Sequence, residues 1–210
     1  MVGCWPLVDT TLTQHRSVNR PAGTPILSTI TVTNPVYRNY LVERVLPAIK
    51  RQWVWDNDDT DGTIYIEQDN ARPHISVDDA DFVQAAIADG WKIKLTCQPP
   101  QSPDLNVLDL GFFNSIQSLQ QQIECRAMEN LVQAVEEPFV TLHRATLERT
   151  FLTWSRVMIV FLEIDGDNKY KIPRSKSIVD DIAARESLSA RLEEEGRMSD
   201  VAELVNIMSV

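Results

Sequence analysis

The stretch from Thr63 to Cys97 limits the possible folds most, because it reads strand, helix, strand. Ile64 and Ile66 alternate with Tyr65 and Glu67 up to Gln68, the period of a strand with one face on a core. Asp69 falls at the C-terminal end of that strand, and Asn70 to His74 turn away through Pro73. Ser76 reads as the opening of a helix whose early Asp78, Asp79 and Asp81 suit the positive end of its dipole. Phe82, Ala85, Ala86 and Ala88 form its inner face, Gly90 stops it, and Lys92 to Cys97 is the second strand. Two strands joined through one helix pair in parallel, with a right-handed crossover expected. The fold class is therefore α/β.

The next landmark is a second acid. Pro99, Pro100 and Pro103 force an extended, rigid approach to a helix. Asn106 is its N-cap, which places Asp109 at the third helical position, and Leu108, Phe112, Ile116 and Leu119 supply the buried face. Between Asp69 and Asp109 lie 39 residues. In sheets of this topology the C-terminal strand ends form the ligand crevice, so two such carboxylates can converge there. Their hard oxygens suit Mg²⁺ or Mn²⁺. A pair of those ions can activate an attacking water or hydroxyl and stabilise a leaving oxygen in phosphodiester chemistry. Spacing alone leaves a plainer reading open, with Asp69 a turn acid and Asp109 a helix-dipole acid.

Upstream, Val2 to Val8 reads as a short strand held near an edge by Pro6, and Asp9 to Pro25 as a long loop. Ile26 to Thr33 is a weaker strand. Asn34-Pro35 starts a helix, Asn as N-cap and Pro first inside, with Val36, Tyr40, Leu41, Val45, Ala48 and Ile49 at helical spacing. Pro47 is expected to kink or tighten it. Asp56 to Gly62 is acidic but lacks the closing Glu of a calcium loop, and reads as a solvated turn. Downstream, Met128 to Leu162 holds two helices, broken near Pro138 or at Thr141–Arg144. Asp165 to Asn168 closes the second, and Tyr170 to Pro173 is an extended exit. Residues 174–210 are charged, with surface helices expected over Ile182–Glu195 and Val201–Met208 in a tail that is mobile or packs on a partner.

Composition narrows the function classes. An apolar share of 43 % over 210 residues allows a sizeable core. No apolar run approaches the roughly 18 residues that span a membrane, and the N-terminus does not read as a secretory signal, so no membrane partner and an intracellular place are expected. Cys4, Cys97 and Cys125 are too scattered for a disulfide framework or a Cys/His zinc site. The net charge of −10 argues against gripping nucleic acid over the whole surface. Residues 1–55, with six basic and two acidic side chains, are the better phosphate-facing candidate than residues 178–210, with three basic and eight acidic.

Two motifs carry a resemblance. Asp69-Asn70-Ala71-Arg72-Pro73-His74 and Gln98 to Phe113 (Gln-Pro-Pro-Gln-Ser-Pro-Asp-Leu-Asn-Val-Leu-Asp-Leu-Gly-Phe-Phe) closely resemble the catalytic core of mariner-like transposases. The branch in view is common in plants and also met in oomycetes, and its last two acids have this same 39-residue spacing. The likeness also covers Gly3–Val8, Asn19–Gly23, Val36–Ile49, Asn114–Gln120 and later helices to Tyr170–Pro173.

The resemblance implies a ribonuclease-H-like fold, a mixed sheet flanked by helices, that cuts and joins DNA with three acids and Mg²⁺ or Mn²⁺. It makes Asp69 the second acid and Asp109 the third, both metal ligands. Pro103, Asp104 and Asn106 become motif residues that shape the loop, and Asn70 and His74 motif residues behind the second acid. His74 reads as positional or DNA-proximal, beside the plainer reading of a satisfied surface histidine. In the family the first catalytic Asp lies on a strand before the Gly-x-Trp-Pro segment, which here is Gly3-Cys4-Trp5-Pro6 at the N-terminus. Asp9 follows that segment and is a poor substitute.

The expectation is thus an incomplete, N-terminally truncated catalytic domain over residues 1–125, with its C-terminal helices over 126–173 and a charged tail over 174–210. It would be inactive alone and would act in the nucleus, with transposon-end DNA and intact transposase as partners. The alternatives are a non-enzymatic remnant that associates with DNA or with transposase, and a translated pseudogene piece.

Overall fold

The computed structural model describes residues 2–18, 20–54, 62–100, 102–121, 128–164 and 170–173, together with Ala183, Glu186, Ser187, Ala190, Arg191 and Glu194. Its strands form two separate two-stranded sheets. β1 (Val8–Leu12) and β2 (Pro25–Thr29) are an antiparallel hairpin, with Thr10 opposite Leu27. β3 (Ile64–Gln68) and β4 (Ile93–Cys97) are a parallel pair, with Ile66 opposite Leu95. The expected parallel pair is present. A single mixed sheet is not formed among the described residues.

The hairpin corrects the reading of the N-terminal region. Val2 to Leu7 is not a strand; the pairing starts at Val8, the last residue of the expected strand, and runs through Asp9 to Leu12, which read as loop. Pro6 cannot donate to a ladder, whereas Thr10 and Thr11 are β-branched and suit one. Leu7 still extends the pairing by accepting from Ile30 N at 3.1 Å. β2 stops at Thr29, four residues short of the expected Thr33.

Next comes α1 (Asn34–Tyr40), a widened π-type turn (Leu41–Val45), then α2 (Leu46–Gln52). The N-cap is Thr33 rather than Asn34, because the Asn34 amide is drawn away to a tertiary partner. The disturbance expected at Pro47 appears as the widened turn before it, where Leu46 N donates back five residues to Leu41 O. A wider turn relieves the clash of a proline ring with the carbonyl four residues earlier. Residues 55–61, which hold most of the acidic turn, lie outside the described residues.

α3 (Ala80–Ile87) begins four residues later than the reading from Ser76. Asp79 is its N-cap, accepting from Phe82 N at 3.2 Å. The same carboxylate takes a forked bond from Arg38 of α1, with Nε at 2.9 and 2.8 Å and Nη2 at 2.5 Å. Ala88 is exposed, correcting its assignment to the inner face, and the chain leaves through Gly90 at φ +81. Lys50 of α2 closes the other end of α3, donating to Ala85 O at 2.9 Å and Ala88 O at 3.0 Å. A cation there also meets the negative end of the helix dipole.

These helices cover one face of the parallel pair. Leu41, Leu46, Ile49, Phe82 and Ala86 pack with Ile64, Ile75, Ile93 and Leu95 in one core. Phe82 and Leu46 are 1 % exposed. Each such side chain contributes roughly 1.5–3 kcal/mol. Tyr65 and Lys94 lie on the other face, with the Lys94 ammonium 5.6 Å from the Tyr65 ring centre.

The second half is helical. A widened turn at Leu108–Phe112 runs into α4 (Phe113–Gln120), followed by α5 (Met128–Thr141) and α6 (Arg144–Glu163). Of the two break points read from sequence, the chain uses the one after Thr141, and Pro138 sits inside α5. Leu108 is 41 % exposed, against its reading as a buried position, whereas Ile116 is buried. Trp154 and Val157 of α6 are buried with Leu105, Ile116 and Ala134. Glu129 of α5 holds the hairpin by accepting from Leu27 N at 3.2 Å. Asp165 to Asn168 and Val201 to Met208 lie outside the described residues; the six described positions between 183 and 194 are helical and exposed.

Candidate metal centre

Asp69 follows directly on β3, at the edge where both parallel strands end. The ladder's last bond lies just before it, with Gln98 N donating to Gln68 O at 2.9 Å. Asn70 bridges the two strand ends, Nδ2 to Gln98 O at 2.7 Å. The Gln98 side chain is buried and donates to Ser102 O, which anchors the proline-rich approach beneath the site.

The loop from Asp69 to His74 is closed on itself. Ala71 N donates to Asp69 Oδ1 at 2.8 Å, and His74 N donates to Ala71 O at 3.0 Å. The His74 ring turns back so that Nδ1 lies 2.8 Å from both Asp69 O and Asp69 Oδ1. Buried Gln68 fixes the far end, Nε2 to Ile75 O at 2.7 Å. Helix α1 supports the loop from behind: Asn34 Nδ2 donates to His74 O at 2.6 Å, and the Tyr37 ring lies over His74 with centroids 4.4 Å apart. Burial pushes the Tyr37 phenol up to about 12, with the Asp69 carboxylate and then Cys97 adding to the rise.

The result is an asymmetric carboxylate. Oδ1 accepts from Ala71 N and lies 2.8 Å from His74 Nδ1, while Oδ2 carries no hydrogen bond among the described residues. The side chain is 52 % exposed. Oδ2 therefore fits one position around a hydrated hard cation.

Asp109 is placed by local means. Asn106 Oδ1 accepts from Leu108 N at 3.0 Å, and Asn106 O accepts from Asp109 N at 3.1 Å and Leu110 N at 3.2 Å. Asn106 is thus the cap the sequence reading expects, with Asp109 in the first turn. That turn is widened, Phe113 N reaching back to Leu108 O, and it presses on α6. A Cβ on Gly111 would lie 2.9 Å from Thr150 Oγ1. Trp154 Nε1 donates to Leu105 O at 2.6 Å and holds the Pro103–Leu105 turn from the same helix. Burial, and then the nearby carboxylate of Asp104 in that turn, push the Tyr170 phenol up. The Asp109 side chain is exposed and makes no hydrogen bond among the described residues.

No hydrogen bond or ion pair joins Asp69 to Asp109. Among the described residues no three His, Cys, Asp or Glu side chains are grouped to hold a metal. The described donors therefore do not fit a two-ion centre, and Asp69 Oδ2 is the one free carboxylate oxygen at the strand end. Asp9 pairs with Ser28 across the hairpin. Asn34 and Tyr37 are not legible as site residues, because Asn34 reads as an N-cap and Tyr37 falls outside the helix's apolar spacing; their i, i+3 relation on one helix face is the available signal.

A separate cleft of about 1150 Å³ opens beside α4, α5 and α6, lined by apolar groups such as Phe112, Phe139 and Phe151, with Arg149 among them. No described helix is long and apolar enough to cross a membrane. Set beside known protein families, characterised proteins and solved structures, the chain matches none.

Proposed function

We propose that this chain is part of the catalytic domain of a mariner-like transposase, of ribonuclease-H-like ancestry, and that it does not cleave DNA by itself. The observation that carries the reading is Asp69: the acid that opens the Asp-Asn-Ala-Arg-Pro-His motif stands at the end of a parallel strand with one oxygen braced and the other free. That is the position a metal-holding acid takes in sheets of this kind. Asp109, on a capped helix start after the Pro-rich approach, is the second ligand of the same reading. In the intact family, Mg²⁺ or Mn²⁺ supplies nucleophile activation and leaving-group stabilisation. Here no third carboxylate joins Asp69 among the described residues, so no cleavage step is assigned to this chain.

The resemblance also implies a second reading, a partner-dependent role in which the chain acts in the nucleus alongside DNA and intact transposase. Supercoiled plasmid incubated with the chain and Mg²⁺ or Mn²⁺ tests the first reading. No nicked product is expected at any metal concentration. Nicking that Asp69→Ala abolishes would establish a self-sufficient nuclease and overturn the inactivity. Co-purification with a full-length transposase of the same branch is the result expected of the partner-dependent role.

A further inference from the structure

We infer that the apolar cleft beside α4, α5 and α6 is a docking groove for a short acidic amphipathic helix, and that its occupant is this chain's own C-terminal segment, residues 200–208. The groove is built from several elements. Phe112, Phe139 and Phe151 line it from the widened turn before α4, from α5 and from α6. Val2, Gly3 and Cys4 add a further wall. That wall is strapped at both ends, with Gln52 Nε2 donating to Val2 O at 2.9 Å and the Tyr40 hydroxyl to Pro6 O at 3.3 Å. At the same cleft Leu108 and Phe113 stay 41 % and 50 % exposed. Large apolar side chains left to water beside a formed groove mark a surface that something covers.

Size and charge select the occupant. Eight helical residues make a cylinder about 12 Å long and 10–12 Å across, roughly 900–1,400 Å³. The cleft of about 1150 Å³ is of that size. Among its described lining residues Arg144 is paired with Glu148 at 2.8 Å. Arg149 has no carboxylate partner among the described residues, its Nε donating to Ala145 O at 3.0 Å. The cleft therefore carries a spare positive charge. Residues 200–208 lie outside the described residues, and their sequence matches it. Val201, Leu204, Val205 and Met208 recur at i, i+3, i+4 and i+7, the anchor spacing of a groove-binding helix. Asp200 and Glu203 form a helix-start pair ahead of Leu204, and both are anionic. Reach is not limiting, since Val201 lies 28 residues after Pro173, up to about 90 Å of extended chain. The route to the tail also passes beside α6: Asp104 acts on the Tyr170 phenol, and Trp154 of α6 holds the turn that carries Asp104. A docked segment would cover Leu108 and Phe112 and so restrain the widened turn that bears Asp109, whether or not Asp109 binds a metal.

Spectra of the full chain with ¹³C-labelled methionine methyl groups test the docking, because Met208 would sit among phenylalanine rings. The expected result is an upfield-shifted Met208 methyl with cross-relaxation to ring protons of Phe112, Phe139 or Phe151. Leu204→Asp, which leaves every cleft residue intact, should return that methyl to its free-chain position. Arg149→Glu should lower the docked fraction roughly twofold at low salt. Adding Glu203→Arg to it should restore the docked fraction. The Met158 methyl of α6 reports in each variant that the helical half stays folded. A Met208 methyl at its free-chain position in the wild type, or one shifted without contact to these rings, overturns the docking. A shift that fades on dilution assigns the groove to a second copy of the chain and overturns the intramolecular occupant. An unchanged docked fraction in Arg149→Glu overturns the charge match.

Discussion

Asp69 and Asp109 look alike in sequence, each an acid within a motif, but the molecule supports them differently. Asp69 is held by its own loop, Ala71 and His74, and that loop is backed by groups distant in sequence: Asn34 and Tyr37 from α1, and Gln98 through Asn70. Asp109 is held by its own helix start, with Asn106 as cap and α6 behind the backbone, and its carboxylate is left alone. One side chain is therefore preset, whereas only the backbone of the other is. A shared role in metal binding would ask Asp109 to order on binding and Asp69 only to receive.

The strongest test of this contrast removes each support in turn. Phe82→Ala empties the core under β3 and β4, and Trp154→Ala removes the ring that holds Leu105 O. Each should cost about 3–5 kcal/mol in urea unfolding. Hydrogen exchange should show Phe82→Ala loosening residues 64–97 and Trp154→Ala loosening residues 103–116. If both loosen the same residues, the two acids share one cooperative unit and the contrast breaks.

A smaller effect isolates the Asp69 side. The Tyr37 phenol is raised from its ordinary 10 to about 12 in the folded chain. A raised folded-state pKa gives stability that is complete below pH 10 and is lost as the pH climbs through about 12. Over that window the wild type should lose about 2 kcal/mol more than Tyr37→Phe, which cannot ionise. Parallel alkaline limbs in urea titrations would separate Tyr37 from the Asp69 environment.

The smallest effect concerns the link between α1 and α3. Arg38 beside Asp79 holds that carboxyl below the usual carboxylate range, helped by the Phe82 N–H against the cost of burial. A depressed pKa contributes stability above pH 3.8 and loses it as pH falls through the folded value. Asp79→Ala should cost about 1 kcal/mol at neutral pH through the lost cap. Asp79→Asn should keep the cap but flatten the acid limb of stability below pH 4.

Much of the α/β frame was legible because it rests on local rules. The alternation of Ile64 and Ile66, the crossover length to Ile93 and the Asn106 cap are chain-local signals, and each of them appears. Errors cluster where a distant partner outbids the local preference. Asn34 reads as a cap, but its amide goes to His74 O across 40 residues of chain. Ser76 reads as a helix start, yet Asp79 takes the cap because it can also bind Arg38. Val2 to Leu7 carries the apolar run of a strand, but the ladder forms where Thr10 can face Leu27.

The sequence by itself determined that acids stand at Asp69 and Asp109, one after a strand and one in a helix's first turn. Periodicity, proline and capping chemistry act within a few residues and can be read without coordinates. Only the tertiary structure decided what each carboxylate can do. Asp69 Oδ1 lies against the ring of a side chain held by another helix, and that hold depends on the packing of α1 against the strand ends. No pattern along the chain encodes which of two equivalent oxygens is left free.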